Sequence, residues 1–435
     1  MHKLIVQNFG PITNCEIELN ELTLFIGPQS SGKSTISKLF FFFLNIRDEF
    51  VNFALDQVDN TSEKTQIREF SKVIRKRFIE FWGPTPLHPT TYIRYEYDNL
   101  TYVEIKLDSA KHRYVDPVFS PSIESELSIV HKALKSIPIN EAPSSNLFNS
   151  ARSISIDRVK DTLVETLRDR AKSLFFFDRE IFFIPAGRSL LSTLSDQLQY
   201  IHPHHLDYPM RVFIDRINKS KAFFGKSLAD LIKDRALLEK GNVWFSAVRR
   251  VEHLVNKILR AEYIHDKEGG KLYVNNKTYT KLSFASSGQQ ESIWILLSLF
   301  LVVLEKVDAI MFIEEPEAHL FPTAQKDMVE LLCFLSHSMG TNFVITTHSP
   351  YILSALNNHI YAASLGKSKK NKVSNIISQH TWIDFNRICG YFISQGTLND
   401  LCDASIGLLK TELIDEASSL VNQEYDALFQ VEVEN

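Results

Sequence analysis

Polar residues follow three apolar runs of this sequence, and their types suit phosphate chemistry. The first is the stretch 27–35, GPQSSGKST, directly after the run LTLFI. A second run, IMFI, ends in the carboxylates Glu314 and Glu315, and a third, FVITT, ends in His348. Residues just beyond the carboxyl ends of buried parallel strands face the ligand crevice in open α/β sheets. We therefore predict that these residues form a site.

The stretch 27–35 fits the pattern G-x-x-x-x-G-K-[ST] between a predicted strand and a predicted helix at 36–46. The glycines allow successive N–H groups to point at one anion, and the helix adds its positive end. Lys33 would reach the β- and γ-phosphates, and the Ser34 hydroxyl would ligate Mg²⁺. An ordinary Gly/Ser turn before a helix is the disfavoured alternative. The predicted ATP-binding residues here are Gly27, Pro28, Gln29, Ser30, Ser31, Gly32, Lys33, Ser34 and Thr35.

The two carboxylates have separate expected roles. Buried ionised carboxylates are costly unless cations compensate them, so a purely structural origin is a weak explanation. We assign Glu314 to the metal and Glu315 to general base catalysis, with His348 donating a hydrogen bond to the γ-phosphate.

Another polar stretch, ASSGQQE at 285–291, precedes the apolar run 293–304. Ser287 with Gln290 fits S-x-x-Q, a capping box, which is also its structural explanation. The exposed start of this helix would form a second anion-binding end. Since one loop already holds the phosphates, a second is redundant unless another subunit supplies it.

Composition excludes several classes of protein. The chain of 435 residues is 44% hydrophobic and 23% charged, with a net charge of −4, so no overall field attracts nucleic acid. Its four cysteines lack C-x-x-C spacing, which favours a reducing cytoplasm. We see no secretory leader. The run 293–304 is shorter than the about 20 residues that span a bilayer, so we expect a buried helix and no membrane.

Other periodicities predict the elements between the motifs. In chain order they are a helix at 63–82, a hairpin at 91–107, a helix at 156–174, mostly helix at 190–261, two or three short strands at 262–284, and helices at 382–392 and 408–429.

Two further stretches carry candidate residues. Arg188 follows the apolar strand predicted at 182–185, so it is a candidate for nucleotide contact or coupling; a surface salt bridge is equally compatible. His202, His204 and His205 lie close to Asp207, but Pro203 interrupts them and no zinc motif has this spacing, so a polar loop is favoured.

The set GPQSSGKST, ASSGQQE, IMFIEEPEAHLFP and ITTHSP resembles the ABC-type ATPase heads of the SMC-like group. It is most similar to the AAA-labelled bacterial ATPases related to the overcoming-lysogenisation-defect proteins. The resemblance implies an α/β fold, an ABC-type P-loop ATPase head with a mixed central sheet, flanking helices, an antiparallel β subdomain and helical insertions.

The resemblance also implies ATP and Mg²⁺ as cofactors and a nucleotide held between two protomers. The signature motif that faces the partner's nucleotide would comprise Ser286, Ser287, Gly288 and Gln289. Glu315 would be the catalytic glutamate and His348 the switch histidine. The segment 317–320 would follow the dimer seam, and Glu314 stands where Asp is usual.

Motif positions predict the domain organisation. The head would comprise 1–46, 180–190 and 280–365. Residues 47–179 would be an insertion, 191–279 a helical insertion with a β-hairpin, and 366–435 a C-terminal helical extension.

The predicted function is an ATP-driven dimerisation switch that controls a separate effector, a nuclease or toxin, in bacterial anti-phage defence. The alternative is a DNA-binding repair or recombination ATPase, with basic residues at 72–77, 249–260 and 367–372 lining a groove. A nuclease in its own right is disfavoured because the region after 361 is too short for a Toprim domain and lacks D-x-D. A transporter subunit is disfavoured by the IEEPEAHLFP variant and the insertions.

Overall fold

The structure, a computed structural model, describes residues 2–56, 66–84, 87–107, 115–135, 149–193, 206–238, 242–275, 278–411 and 416–433. It divides into two compact units. The first comprises Met1–Leu19 with Lys38–Arg179, and the second comprises Asn20–Ser37 with Glu180–Asn435.

The strands are β1 (Lys3–Phe9), β2 (Ile12–Glu18), β3 (Leu22–Ile26), β4 (Tyr92–Glu96), β5 (Tyr102–Leu107), β6 (Val115–Phe119), β7 (Glu180–Ile184), β8 (Glu262–Asp266), β9 (Gly269–Asn275), β10 (Thr278–Lys281), β11 (Ala309–Glu314), β12 (Asn342–Thr347), β13 (Ile388–Ser394), β14 (Thr397–Asp400), β15 (Cys402–Asp403) and β16 (Leu408–Leu409). The helices are α1 (Lys33–Asp56), α2 (Gln66–Trp82), α3 (Pro121–Lys135), α4 (Asn149–Phe175), α5 (Ser189–Thr193), α6 (Tyr208–Lys221), α7 (Leu228–Leu238), α8 (Asn242–Leu259), α9 (Ser287–Leu304), α10 (Pro322–Met339), α11 (Pro350–Ser374) and α12 (Glu416–Val433).

The first unit contains an antiparallel sheet in the order β2-β1-β4-β5-β6. Buried and partly exposed residues alternate along β4, as expected for a strand with one face on a core. The predicted hairpin at 91–107 is confirmed as β4 and β5. The predicted helix at 63–82 is confirmed over the range of α2.

The second unit contains the sheet that positions the site, in the order β14-β13-β3-β12-β11-β7. All neighbours from β13 to β7 are parallel, and only β14 runs antiparallel. Strands β3 and β11 are buried along their whole length, as expected when both faces of a sheet are covered. The α/β head with a mixed central sheet, an antiparallel β subdomain and helical insertions is therefore confirmed.

Helix α9 is a core helix of this unit. It is long and apolar enough to span a membrane, yet 72% of its 18-residue window is buried inside the protein. Helix α8 packs against it, and the two contribute many members of one continuous apolar core. The predicted buried helix at 293–304 is thus confirmed within α9.

The C-terminal region differs from the prediction. The helix predicted at 382–392 is wrong, because β13 occupies much of that range and pairs in parallel with β3. Of the helix predicted at 408–429, the part from Glu416 lies in α12, whereas Leu408–Leu409 form the strand β16. Sheet pairing explains the difference: the ladder offered by β3 satisfies the β13 backbone, overriding the local helical periodicity. Residues 366–435 therefore include a strand of the central sheet and are not a purely helical extension. The other predicted domain boundaries stay a prediction.

Candidate nucleotide site

The phosphate loop joins β3 to α1, as predicted, and its backbone requires glycine. Gly27 has φ of 154° and Gly32 has φ of 109°, while Ser30 has φ of 58°. A Cβ atom placed on Gly27 would lie 2.2 Å from the carbonyl oxygen of Ile393 on β13. The loop therefore depends both on its own glycines and on a strand from the end of the chain.

Lys33 lies at the start of α1 and is buried. Its Nζ donates hydrogen bonds to the carbonyl oxygens of Gly27 (2.9 Å) and Pro28 (2.7 Å). Burial lowers the pKa of Lys33 to about 8, and the charges of Glu315 and Glu317 oppose that shift. An ammonium group enclosed by a curled loop is suited to bind a phosphate.

The other loop residues differ in exposure. Ser31 and Gly32 are buried, and Thr35 is half-buried. The exposed members are Pro28, Gln29, Ser30 and Ser34. The Ser34 hydroxyl lies in the first turn of α1, where it is open to a ligand.

Glu314 is the buried last residue of β11. Its Oε2 accepts a hydrogen bond from the backbone N–H of Ala186 at 3.1 Å. Its Oε1 is buried and has no hydrogen-bond partner among the residues that the structure describes. Buried polar atoms are normally satisfied, and carboxylate and hydroxyl oxygens suit Mg²⁺. The donor set of Glu314 and Ser34 thus fits a Mg²⁺ ion.

Glu315 and His348 meet beyond the ends of neighbouring strands. Glu315 has φ of 46°, which is uncommon for a non-glycine residue. Its backbone N–H donates a hydrogen bond to the carbonyl oxygen of Thr346 at 2.8 Å. His348 Nε2 lies 3.5 Å from Glu315 Oε1. Burial lowers the pKa of His348, and the Lys33 charge lowers it further, so the imidazole is neutral at pH 7. The structure therefore brings Lys33, Glu315 and His348 together.

Glu317 holds the backbone beside the histidine. Its Oε1 accepts hydrogen bonds from the Thr347 hydroxyl (2.6 Å) and the His348 N–H (2.8 Å). Burial raises the pKa of Glu317. The sequence resemblance placed this residue only in the segment along a dimer seam, and the contact with His348 is new.

The stretch before α9 forms a capping box one residue earlier than predicted. Ser286, not Ser287, is the N-cap, and its partner is Gln289, not Gln290. Ser286 Oγ accepts from the Gln289 N–H at 3.4 Å, and Gln289 Oε1 accepts from the Ser286 N–H at 3.2 Å. Because the sequence SSGQQ fits S-x-x-Q in two registers, spacing alone could not choose between them.

Gly288, one of the predicted signature residues at the start of α9, lies against the segment after the carboxylates. A Cβ atom on Gly288 would lie 2.7 Å from the carbonyl oxygen of His319. Ser286 and Ser287 are exposed. Within the described ranges, no hydrogen bond or ion pair joins 286–289 to 27–35. The structure thus brings the phosphate loop together with Glu315 and His348, and leaves residues 286–289 outside that group.

Arg188 is fully buried, so the surface salt bridge is wrong. Its guanidinium donates to the carbonyl oxygens of Glu314 (2.6 Å) and Glu315 (2.8 Å). It also contacts Glu291 of α9, which sequence reasoning did not select. A lone carboxylate at the start of an otherwise apolar helix was the available signal.

Six of the twelve lysines and arginines in the basic stretches 72–77, 249–260 and 367–372 form ion pairs with acids. Lys72 pairs with Glu69, and Arg77 pairs with Glu49 and Glu80. Other pairs are Arg75–Asp116, Arg250–Glu330, Lys257–Asp327 and Lys367–Asp384. The histidines at 202, 204 and 205 lie outside the described residues.

These features define a nucleotide-binding α/β protein of the P-loop type. Residues 1–176 and 96–353 match the family described as AAA ATPase domain, AAA_15. Together the two matches span most of the chain, which therefore belongs to the AAA ATPase domain family. No curated protein is significantly similar to the chain.

Solved structures with some similarity to this chain include SMC heads. One, an SmcHead bound to the C-winged helix domain of ScpA, has 11% identity and a TM-score of 0.39, covering 92% of this chain and 95% of that chain. The SMC head domain from Thermotoga maritima has 14% identity and a TM-score of 0.35, covering 92% and 97%. An Smc head with an extended coiled coil, bound to the C-terminal domain of ScpA derived from Pyrococcus furiosus, has 13% identity and a TM-score of 0.38, covering 98% and 100%.

Proposed function

We propose that the chain binds ATP with Mg²⁺, hydrolyses it, and uses it to close and reopen a dimer of heads. The observation that carries the proposal is the convergence of Lys33, Glu315 and His348 beside the unsatisfied Oε1 of Glu314. Lys33 binds the β- and γ-phosphates, and Ser34 with Glu314 holds Mg²⁺, which neutralises phosphate charge when bound.

Glu315 is the general base in this proposal. Its carboxylate is 40% exposed, so a water molecule can reach it. It accepts a proton from the water whose oxygen attacks the γ-phosphorus, while the bond from that phosphorus to the ADP oxygen breaks. His348, neutral at pH 7, donates a hydrogen bond to the γ-phosphate and contacts the Glu315 carboxylate.

A second copy supplies the signature. Ser286 and Ser287 lie exposed at the start of the 18-residue helix α9, where backbone N–H groups attract anions. They share no bond with the phosphate loop of their own chain within the described ranges. Nucleotide bound between two copies then adds its binding energy to their association.

The sequence resemblance supports a wider role as a switch for a separate effector, a nuclease or toxin, in anti-phage defence in the cytoplasm. The thiol state of all four cysteines agrees with that compartment. Co-expression of this chain with an effector encoded beside it tests the role. The number of phage plaques should fall on cells that express the parental chain with the effector, and should recover on cells that express Lys33→Ala. Equal plaque numbers on the two would overturn the defence role.

Direct DNA binding receives less support, because carboxylates already pair half of the lysines and arginines in the basic stretches. The decisive measurement is DNA affinity against salt concentration. Affinity that falls steeply with salt would favour the repair ATPase instead.

Glu315→Gln tests the central proposal. The variant should bind ATP like the parent, hydrolyse it about 100-fold or more slowly, and accumulate ATP-bound dimers. Equilibrium binding, phosphate release and sedimentation velocity measure the three properties. Glu305→Gln, which alters a glutamate at the far end of α9, is the matched control and should behave like the parent. Parental turnover in Glu315→Gln would overturn the assignment.

A further inference from the structure

The guanidinium of Arg188 joins parts of the sequence that carry separate roles in the site. It donates through Nη1 to the carbonyl oxygens of Pro185 and Glu314, each at 2.6 Å, and through Nη2 to that of Glu315 at 2.8 Å. Its Nε donates to the backbone carbonyl oxygen of Glu291 at 2.9 Å. One planar group therefore fixes the ends of β7 and β11 and the first turns of α9.

Glu291 completes the connection from the helix side. Its Oε2 accepts from the backbone N–H of Arg188, and its Oε1 accepts from that of Ser189, each at 3.0 Å. Oε2 also lies 3.4 Å from the Arg188 Nε. The two side chains thus bind each other's backbones, so a shift of α9 displaces Arg188 as well.

The far end of this connection is a strained residue. Glu315 has φ of 46°, a conformation that persists only where surrounding contacts enforce it. Arg188 Nη2 binds the carbonyl oxygen of that same residue. Arg188 therefore links the backbone of Glu315 to α9.

Burial makes the connection specific to arginine. Both Arg188 and Glu291 are nearly inaccessible to solvent, and buried charges are costly without a partner and complete hydrogen bonding. The rigid guanidinium fork reaches several acceptors at once, whereas a lysine ammonium cannot reproduce that geometry. Packing alone would be served at lower cost by apolar side chains.

We propose that Arg188 and Glu291 form a positioning pair that transmits the placement of the signature end of α9 to the Glu315 carboxylate. The inference rests on the proposed function. When a nucleotide and a second head engage the start of α9, the pair holds Glu315 in the conformation that accepts the proton. Neither residue touches the nucleotide.

The test separates closure of the dimer from hydrolysis. Arg188→Lys and Glu291→Gln should bind ATP within about twofold of the parent and still dimerise with it. Their kcat should fall by about tenfold or more, because small displacements of a catalytic group have effects of this size. In a Glu315→Gln background, Arg188→Lys should lower the residual rate less than twofold, because the group it positions is already gone.

Arg387→Gln is the control for stability. Arg387 pairs with Glu21, which precedes β3 at the end opposite to the phosphate loop. This variant removes a partly buried arginine from the same unit and should retain the parental kcat.

Parental kcat in Arg188→Lys would overturn the inference. So would an equal fractional loss of rate in the parental and Glu315→Gln backgrounds.

Failure of the inference and failure of the proposed function give different results. If the parent hydrolyses ATP and Glu315→Gln does not, while Arg188→Lys and Glu291→Gln both match the parent, only the positioning role is wrong. If Glu315→Gln turns over like the parent, both the proposed function and the inference fail.

Discussion

At the scale of single residues, the site depends on polar groups whose burial is compensated by specific partners. Lys33 is enclosed by loop carbonyls, Glu317 by donors at the end of β12, and Arg188 by backbone acceptors and Glu291. Such groups are expensive to bury, and their removal leaves partners unsatisfied. Substitutions at these positions should therefore affect function in ways that differ from those of surface charges.

Lys33→Ala should abolish measurable ATP binding, because it removes the ammonium group at the centre of the phosphate loop. Isothermal titration with ATP and Mg²⁺ checks this. Lys38→Ala, further along α1, is the control and should bind like the parent. Normal nucleotide affinity in Lys33→Ala would refute the phosphate-loop assignment.

His359 on α11 should make the second unit sensitive to acid. Burial lowers its pKa to about 4, while an unfolded histidine titrates near 6.5. Between these values the unfolded state binds the extra proton, so stability falls as pH drops from about 6.5 to 4, by up to about 3 kcal/mol.

Urea unfolding at pH 5 and pH 7 measures this difference. His359→Gln should lose less stability between pH 7 and pH 5 than the parent does. His380→Gln, which alters an exposed histidine, should lose as much as the parent. An unchanged pH dependence in His359→Gln would count against the buried neutral imidazole.

At the scale of elements, the phosphate loop is supported by a strand from the far end of the chain. Strand β13 pairs with β3 along its length, with Leu24 opposite Gly390. It also places the Ile393 carbonyl oxygen against Gly27. Helix α12 differs from β13, because the side chains described for its residues 421–431 are all exposed to solvent. The two C-terminal elements should therefore differ in their importance to the site.

Two truncations compare these elements. A chain ending at Arg387 loses β13, exposes the apolar edge of β3, and should lose ATP binding and its cooperative thermal transition. A chain ending at Thr411 loses only α12 and the residues beside it, and should bind ATP within about twofold of the full chain. Calorimetry and nucleotide titration measure both. Retained binding in the shorter chain would contradict the role of β13.

At the scale of the whole molecule, the chain contains two units, and the described nucleotide residues lie in the second. The proposed working form is a dimer in which each pocket combines the loop of one copy with the signature of the other. A symmetric arrangement of this kind predicts that two different inactive copies can repair one pocket between them.

Mixing Lys33→Ala with Ser286→Arg tests that prediction. Each variant alone should be inactive, because every pocket carries a lesion. An equal mixture forms about half heterodimers, each with one intact pocket, so its rate should reach about a quarter of the parental rate. Phosphate release in a titration of one variant into the other measures it. A mixture as inactive as its components would argue against shared pockets.

Features that depend on local spacing can be predicted from the amino-acid sequence. The phosphate loop, the carboxylates after β11 and the histidine after β12 are each encoded within a few residues, where an apolar run meets polar side chains. Their meeting at one sheet edge follows from parallel strand order. The sequence also indicated the hairpin of β4 and β5, because alternation along a strand is a short-range signal.

The distant segments that complete the site are visible only in the folded chain. Arg188 and Glu291 are 103 residues apart, and β13 reaches β3 from the opposite end of the chain. Local periodicity does not encode such pairings, since a strand or a buried ion pair is specified by the partner that satisfies its hydrogen bonds. The capping register of α9 was decided in the same way, because two serines competed and the helix could begin after only one of them.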